Sequence, residues 1–240
     1  MATLEAAAWS SMGHKVVANL ADKYLVPNVQ REVHDLLGSR MEDCAELPDA
    51  TYYLNLTTEG QPQLTEGDVL IEIEQHINTL KNHNNRSKSE VRETLKALIH
   101  LVAEMHCVGH VRFADKADAP SYIVYLPNGT EGKATRRIKT TWREYWSTAH
   151  LKAHYGYSTA MHVHDLELRF KGEAYDMVHG LTPRDWAVDM GRECHPLYEL
   201  AKDEMEIPRL QHLAFEELTN RTLAKAGWRL AALLNNIFNK

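Results

Sequence analysis

Imidazoles, a thiol and a carboxylate crowd one apolar stretch, residues 87–110, SKSEVRETLKALIHLVAEMHCVGH. On a helix, His100 and Glu104 are one turn apart and point to the same face. An imidazole and a carboxylate on one face of a buried helix is how helical proteins present ligands to a metal ion. The same pair also suits a core histidine satisfied by a carboxylate one turn away. His110 follows at the exit of the stretch, and His106 and Cys107 are further candidate ligands, Cys107 reading rather as a small core residue.

The elements that must position these groups are legible as patterns. Ser87 with Glu90 reads as a capping box, and Leu95, Leu98, Ile99, Leu101, Val102 and Met105 continue a broad amphipathic helix. Residues 13–25 form a short amphipathic helix that ends before Pro27. A second, 28–37, is stopped by Gly38. Thr51 to Leu56 (TYYLNL) is β-branched and aromatic, an extended segment or edge strand. Asp68 caps a helix from Val69 to about Leu80, and 82–86 is a polar linker. Residues 121–125 and 134–138 flank Pro127-Asn128-Gly129 as a small β-hairpin. Helical character resumes at 141–154, at Thr182-Pro183, and from Pro208 to Phe238. Helices dominate, so the class is mainly α.

The chain has 240 residues, enough for one large domain or two small ones, and an ordinary charged fraction of 25%. Its net charge of −6 excludes polyanion binding by bulk electrostatics; any nucleic-acid contact is local. Cys44, Cys107 and Cys194 are odd in number and scattered, so no disulfide framework or cysteine zinc knuckle is expected. Fourteen histidines keep a metal site in view. No apolar run approaches the ~20 residues of a membrane helix. Residues 1–8 lack a basic region and a long apolar run, yet Ala6-Ala7-Ala8 before Trp9 looks like a small-residue cleavage site. They read as a leader remnant, an addition for expression, or an ordinary frayed terminus, with 9–240 as one domain.

Taken together, several stretches resemble the S1/P1 nuclease family. They are Trp9-x-x-x-Gly13-His14, YLNL at 53–56, HLVAEMHCVGH at 100–110, Tyr145-Trp146, the Thr-Pro-x-Asp-Trp-Ala run at 182–187, and GWRLAALLNNIF at 227–238. The resemblance implies a helical fold shared with zinc-dependent phospholipase C. It also implies a secreted or periplasmic enzyme that cuts single-stranded nucleic acid and 3′-nucleotides with three zinc ions. By the same resemblance, Trp9, His14, Asp43, His100, Glu104 and His110 stand at ligand positions. Asp43 would also orient the attacking water.

Departures from the family pattern are as informative. Glu104 stands for the bridging aspartate. Tyr52 stands for a histidine, and a neutral phenol is a much poorer ligand. Aligned through Trp146, Arg143 takes the place of a histidine and Ser147 that of an aspartate. Residues 118–121 replace a glycine-rich GGN stretch. Counted by ion, one site keeps only His110. A second keeps Asp43, His100 and Glu104. A third keeps His14 and Glu104, with the amine of Trp9 if the chain begins there. Zinc is therefore expected at one or two ions at most, or none.

Two functions follow from different classes. One is an S1/P1-type phosphodiesterase with reduced or lost activity. The other is a non-catalytic family member that binds a nucleotide, a phosphate or a protein. Arg143 would place fixed positive charge where a metal was lost, and would bind phosphate or a buried carboxylate. Lys133, Arg136, Arg137 and Lys139, beside Trp142 and Tyr145, suit either nucleic-acid contact or an ordinary solvated hairpin. His162 and His164 read as ligands or a surface pair, and Asp185-Trp186 as a cap and packing anchor. Single-stranded nucleic acid or a nucleotide is the expected partner, with no membrane insertion; oligomeric state stays open.

Overall fold

The computed structural model describes residues 9–47, 52–126, 138–153, 156–179 and 181–239. Its helices are α1 (Ser11–Lys23), α2 (Pro27–Leu37), α3 (Val69–Lys81), α4 (Lys88–Met105), α5 (Trp142–Glu144), α6 (His150–Ala153), α7 (Thr159–Phe170), α8 (Ala174–Val178), α9 (Pro183–Leu200) and α10 (Arg209–Phe238). The strands are β1 (Leu54–Leu56), β2 (Val111–Phe113), β3 (Ile123–Leu126), β4 (Ile138–Thr141) and β5 (Met205–Glu206). The class is mainly α.

α4 lies at the centre, packed against α1, α2, α3 and α10. The Ser87 hydroxyl accepts the Glu90 N–H at 3.2 Å, but the Glu90 carboxylate is drawn to Arg86, so only half of the capping box forms. The apolar stripe of α4 is buried, and so are His100 and Glu104 at its C-terminal end.

The chain enters this core at Trp9. Its side chain is fully buried, and its indole N–H donates to the carbonyl of Ala103 at 2.8 Å. A Cβ on Gly13 would lie 2.7 Å from the Trp9 Cβ. Glycine there lets Trp9 fold back over the first turn of α1. The spacing of Trp9, Gly13 and His14 thus has a packing reason, and it delivers His14 to the flank of α4.

Beyond α4, a buried polar chain ties the end of the helix to α9 and α10. His106 donates from Nδ1 to the Val102 carbonyl (2.7 Å), and its Nε2 accepts from Arg229 Nη1 (2.9 Å). Arg229 also reaches Asp189 (2.5 Å), which takes Lys225 at 2.7 Å. Burial, then the Arg229 charge, push the His106 imidazole down to about 3. His106 is therefore a neutral bridge with both nitrogens engaged, which corrects its reading as a replacement ligand. Cys107 is a fully buried thiol, which burial and the Glu104 charge push up to about 12, as suits a core residue.

β1 and β2 pair in parallel, Leu54 opposite Val111 and Asn55 opposite Arg112. Buried Asp68 joins this pair to α3. One of its oxygens caps α3 through the Leu70 N–H (2.8 Å). The other accepts the Asn55 backbone N–H (2.7 Å) and side-chain amide (2.9 Å). Burial raises the Asp68 carboxyl, against those three donors.

β3 and β4 form the antiparallel hairpin, and β5 adds to β3 in parallel. Residues 127–137, which include Pro127-Asn128-Gly129, Lys133, Arg136 and Arg137, lie outside the described residues; Lys139 is exposed. α7 was not legible in the pattern of the chain. It carries both His162, buried beside the Tyr157 ring, and His164, exposed, so they are not a surface pair. Asp185 takes the Thr182 N–H and hydroxyl in a capping box, and Trp186 is buried.

Candidate metal centre

Three imidazoles close around one carboxylate. His14 arrives on α1, His100 and Glu104 on α4, and His110 on the 3₁₀ turn Val108–His110. Glu104 Oε1 lies 3.0 Å from His100 Nε2 and 3.6 Å from His14 Nε2. Glu104 Oε2 lies 2.8 Å from His110 Nδ1. All four residues are almost fully buried. Burial alone would push the Glu104 carboxyl up, but the three surrounding imidazoles, His110 foremost, outweigh it and hold it well below the ordinary range. His14 is shifted down: burial lowers it most, the adjacent Glu104 opposes that, and His100 adds to the lowering. The site therefore favours an ionised carboxylate facing a neutral imidazole.

The protonation pattern follows from the partners. A carbonyl can only accept, so the Tyr52 carbonyl 2.8 Å from His110 Nδ1 places the proton there. His110 Nε2 is then a buried lone pair without a hydrogen-bond partner. His100 Nδ1 faces the Ala45 carbonyl and the Leu47 N–H, each at 3.3 Å. Its Nε2 faces Glu104. Both ring nitrogens of His14, Nε2 of His100 and both Glu104 oxygens are buried without hydrogen-bond partners. Buried polar groups are rarely left so. One ligand atom from each of His14, His100 and Glu104 lies within 4.8 Å of the others. Two imidazoles and a carboxylate are a zinc donor set that leaves a coordination position open.

Other expected site residues are placed differently. Asp43 does not join the cluster. The 3₁₀ turn Met41–Cys44 turns Met41 inward and leaves the Asp43 side chain 55% exposed, 4.0 Å from Arg40. Tyr52 meets the site through its carbonyl, 2.8 Å from His110 Nδ1. Ser147 is buried, but its hydroxyl donates to the Arg143 carbonyl at 2.7 Å, back along its own helix. Arg143 does come to the edge of the cluster, where its Nη1 donates to the Tyr53 hydroxyl at 2.9 Å.

Two local features fix that position. Residues Tyr145–Ala149 form a π-helical turn between α5 and α6. A Cβ on Gly109 would lie 2.7 Å from the Arg143 carbonyl oxygen, so only glycine lets the turn bearing His110 approach this close.

Two neighbours were missed from sequence. The Tyr53 ring lies against His110, centroids 5.1 Å apart and planes within 11°. The Arg112 guanidinium lies 3.3 Å from the centroid of the same ring. The available signal was alternation: with Leu54 and Leu56 buried in β1, Tyr53 faces the other way, toward the cluster.

No curated protein matches the chain at a significant level. Residues 9–239 match the family described as S1/P1 Nuclease. That span begins at the tryptophan seated on α4, contains the whole imidazole–carboxylate cluster and ends after the helix that carries Arg229. The chain belongs to the S1/P1 nuclease family.

Proposed function

We propose that this protein is a divergent, zinc-binding S1/P1-type phosphodiesterase of one domain, 9–240, whose action on single-stranded nucleic acid or 3′-nucleotides is reduced or lost. The observation that carries this reading is the convergence of buried, unpartnered donor atoms from His14, His100 and Glu104. These three side chains would hold one ion. His14 and Glu104, with a free amine on Trp9, supply donors for a second.

When bound, zinc lowers the pKa of a coordinated water and acts as a Lewis acid toward a phosphate oxygen. The chain's own groups do the rest. Glu104 holds negative charge in a buried site, and the Tyr52 carbonyl orients His110. Arg143, held by Tyr53, attracts phosphate but cannot acidify water. Asp43, on the surface, has no part in orienting the nucleophile. With Tyr52, Arg143 and Ser147 at former ligand positions, His110 is left as a single donor, too few for a third ion. The family's usual setting makes a secreted or periplasmic location the natural one. No helix among the described residues is long and apolar enough to cross a membrane.

A non-catalytic role in binding a nucleotide or phosphate is the second reading. The observation favouring it is the pair of arginines on Tyr53, beside the position with too few ligands.

The test is zinc analysis together with a single-strand nuclease assay, on protein beginning at Trp9 and on protein retaining residues 1–8. One or two zinc ions with weak or absent cleavage is the expected result. Three tightly held ions with robust cleavage would overturn it.

A further inference from the structure

We infer that Arg112, Arg143 and Tyr53 form a metal-independent site for a phosphate dianion, either inorganic phosphate or the terminal phosphate of a nucleotide. The inference rests on the proposal above that this edge of the imidazole–carboxylate cluster has lost its third ion.

Arg112 and Arg143 are both half-buried residues, and they meet on one phenol. Arg143 Nη1 donates to the Tyr53 hydroxyl at 2.9 Å, and Arg112 lies on the ring face, 3.3 Å from its centroid. Among the described residues neither forms an ion pair with a carboxylate, and Arg112 Nε is buried with no hydrogen-bond partner. Two fixed positive charges, partly withdrawn from water and without a counter-charge, favour an anion between or beside them. Nearby Glu104 does not fill that need, because its oxygens face the three imidazoles. His110 is not counted as a donor, because its Nδ1 proton points at the Tyr52 carbonyl.

The backbone holds the pair rigidly. Arg112 is on β2, in register with Asn55 of β1, and Asn55 is tied to buried Asp68. Arg143 is fixed by the approach of Gly109 to its carbonyl. Guanidinium forks match tetrahedral oxyanions, and two of them match a dianion better than the single charge of a diester. Arg112 already covers a face of Tyr53, so recognition is of the phosphate and not of a base stacked there.

The experiment uses whole protein stripped with a chelator, its zinc content measured and its fold checked by circular dichroism. Calorimetric titration then compares inorganic phosphate, adenosine monophosphate and a dinucleotide that has only a diester. Phosphate and the monoester should bind, and the diester should bind at least about tenfold more weakly. Monoester affinity should rise as pH passes upward through about 6, where the second phosphate proton leaves. Arg112→Gln and Arg143→Gln should each weaken binding by about tenfold or more, with Lys in either place intermediate.

Stripped wild-type protein that binds neither phosphate nor monoester overturns the inference, whether or not the variants fold. So does an Arg112→Gln/Arg143→Gln protein with unchanged affinity. Equal affinity for mono- and diester overturns the dianion assignment. Zinc content judges the metal centre separately. Phosphate binding by protein that never takes up zinc would uphold the arginine site and sink the zinc reading, and zinc-loaded protein that loses phosphate on stripping would do the reverse.

Discussion

His14 and His100 stack face to face, with ring centroids 4.5 Å apart and planes within 3°. Their Nε2 atoms approach the same Glu104 oxygen, at 3.6 and 3.0 Å. Two stacked imidazolium rings would repel, whereas two neutral rings whose Nε2 atoms converge on one carboxylate suit a shared cation. Zinc should therefore raise the unfolding midpoint, by the equivalent of about 2.7 kcal/mol at a free concentration a hundredfold above its dissociation constant. Glu104→Ala should abolish the zinc-dependent part of the midpoint. A Glu104→Ala protein with the same zinc response as wild type would show that the donors lie elsewhere.

Protein beginning at Trp9 should bind zinc more tightly than protein in which residues 1–8 precede it. A free amine offers nitrogen a lone pair, and an amide does not. Competition against a chromophoric chelator reads the difference, and identical affinities would remove Trp9 from the ligand set.

Gly13→Ala should destabilise the fold by about 1–3 kcal/mol, because the new methyl overpacks a site closed by Trp9 and Leu151. The same displacement moves the start of α1, which bears His14, so zinc affinity should fall as well. Denaturant midpoints with and without zinc separate the two effects.

Asp189 links pH to stability. Burial raises its carboxyl, but Lys225 and Arg229 outweigh that and leave it below the ordinary value. A depressed native pKa means that the unfolded chain takes up the proton first. The contribution is complete above the ordinary carboxylate pKa of about 3.9, and is lost as pH falls through the native value. Asp189→Asn should remove that acid-side slope. It should also cost about 2–4 kcal/mol near neutral pH by leaving Arg229 without its carboxylate, the range being lowered because the Asp189 side chain is 22% exposed. Urea titrations from pH 3 to 7 decide it; parallel profiles for wild type and variant would refute the linkage.

Tyr52→His, Arg143→His and Ser147→Asp together should raise the zinc count by one ion and increase single-strand cleavage. Each alone should leave the count unchanged, because His110 plus one new donor falls short of the three that zinc sites need. The Ser147 change must also break the bond from its hydroxyl to the Arg143 carbonyl. Metal analysis of all four proteins checks this.

Much of the frame was legible because it follows from local rules. The apolar period of residues 87–105, the cap at Asp68, the Thr182-Pro183 start and the long run after Pro208 each depend on neighbours within a turn or two. The same rule put His100 and Glu104 on one face, whereas His14 was reached only through the family resemblance. α7 escaped because its polar and apolar positions give a weaker pattern, with Leu168 and Met161 exposed.

Only the tertiary structure decided which groups meet. Asp43 was separated from the cluster by the turn of a 3₁₀ segment, where a one-residue rotation exchanges inside for outside, and Met41 took the inside place. Tyr53 was brought against His110 by the parallel register of β1 on β2, a pairing of residues 57 positions apart that no local pattern encodes. His106 was a further candidate ligand in the linear chain, and became a structural bridge because Arg229, 123 residues later, meets its Nε2. Side-chain type is written in the sequence, but long-range packing sets the partner of each group, and the partner determines whether an imidazole is a ligand or a strut.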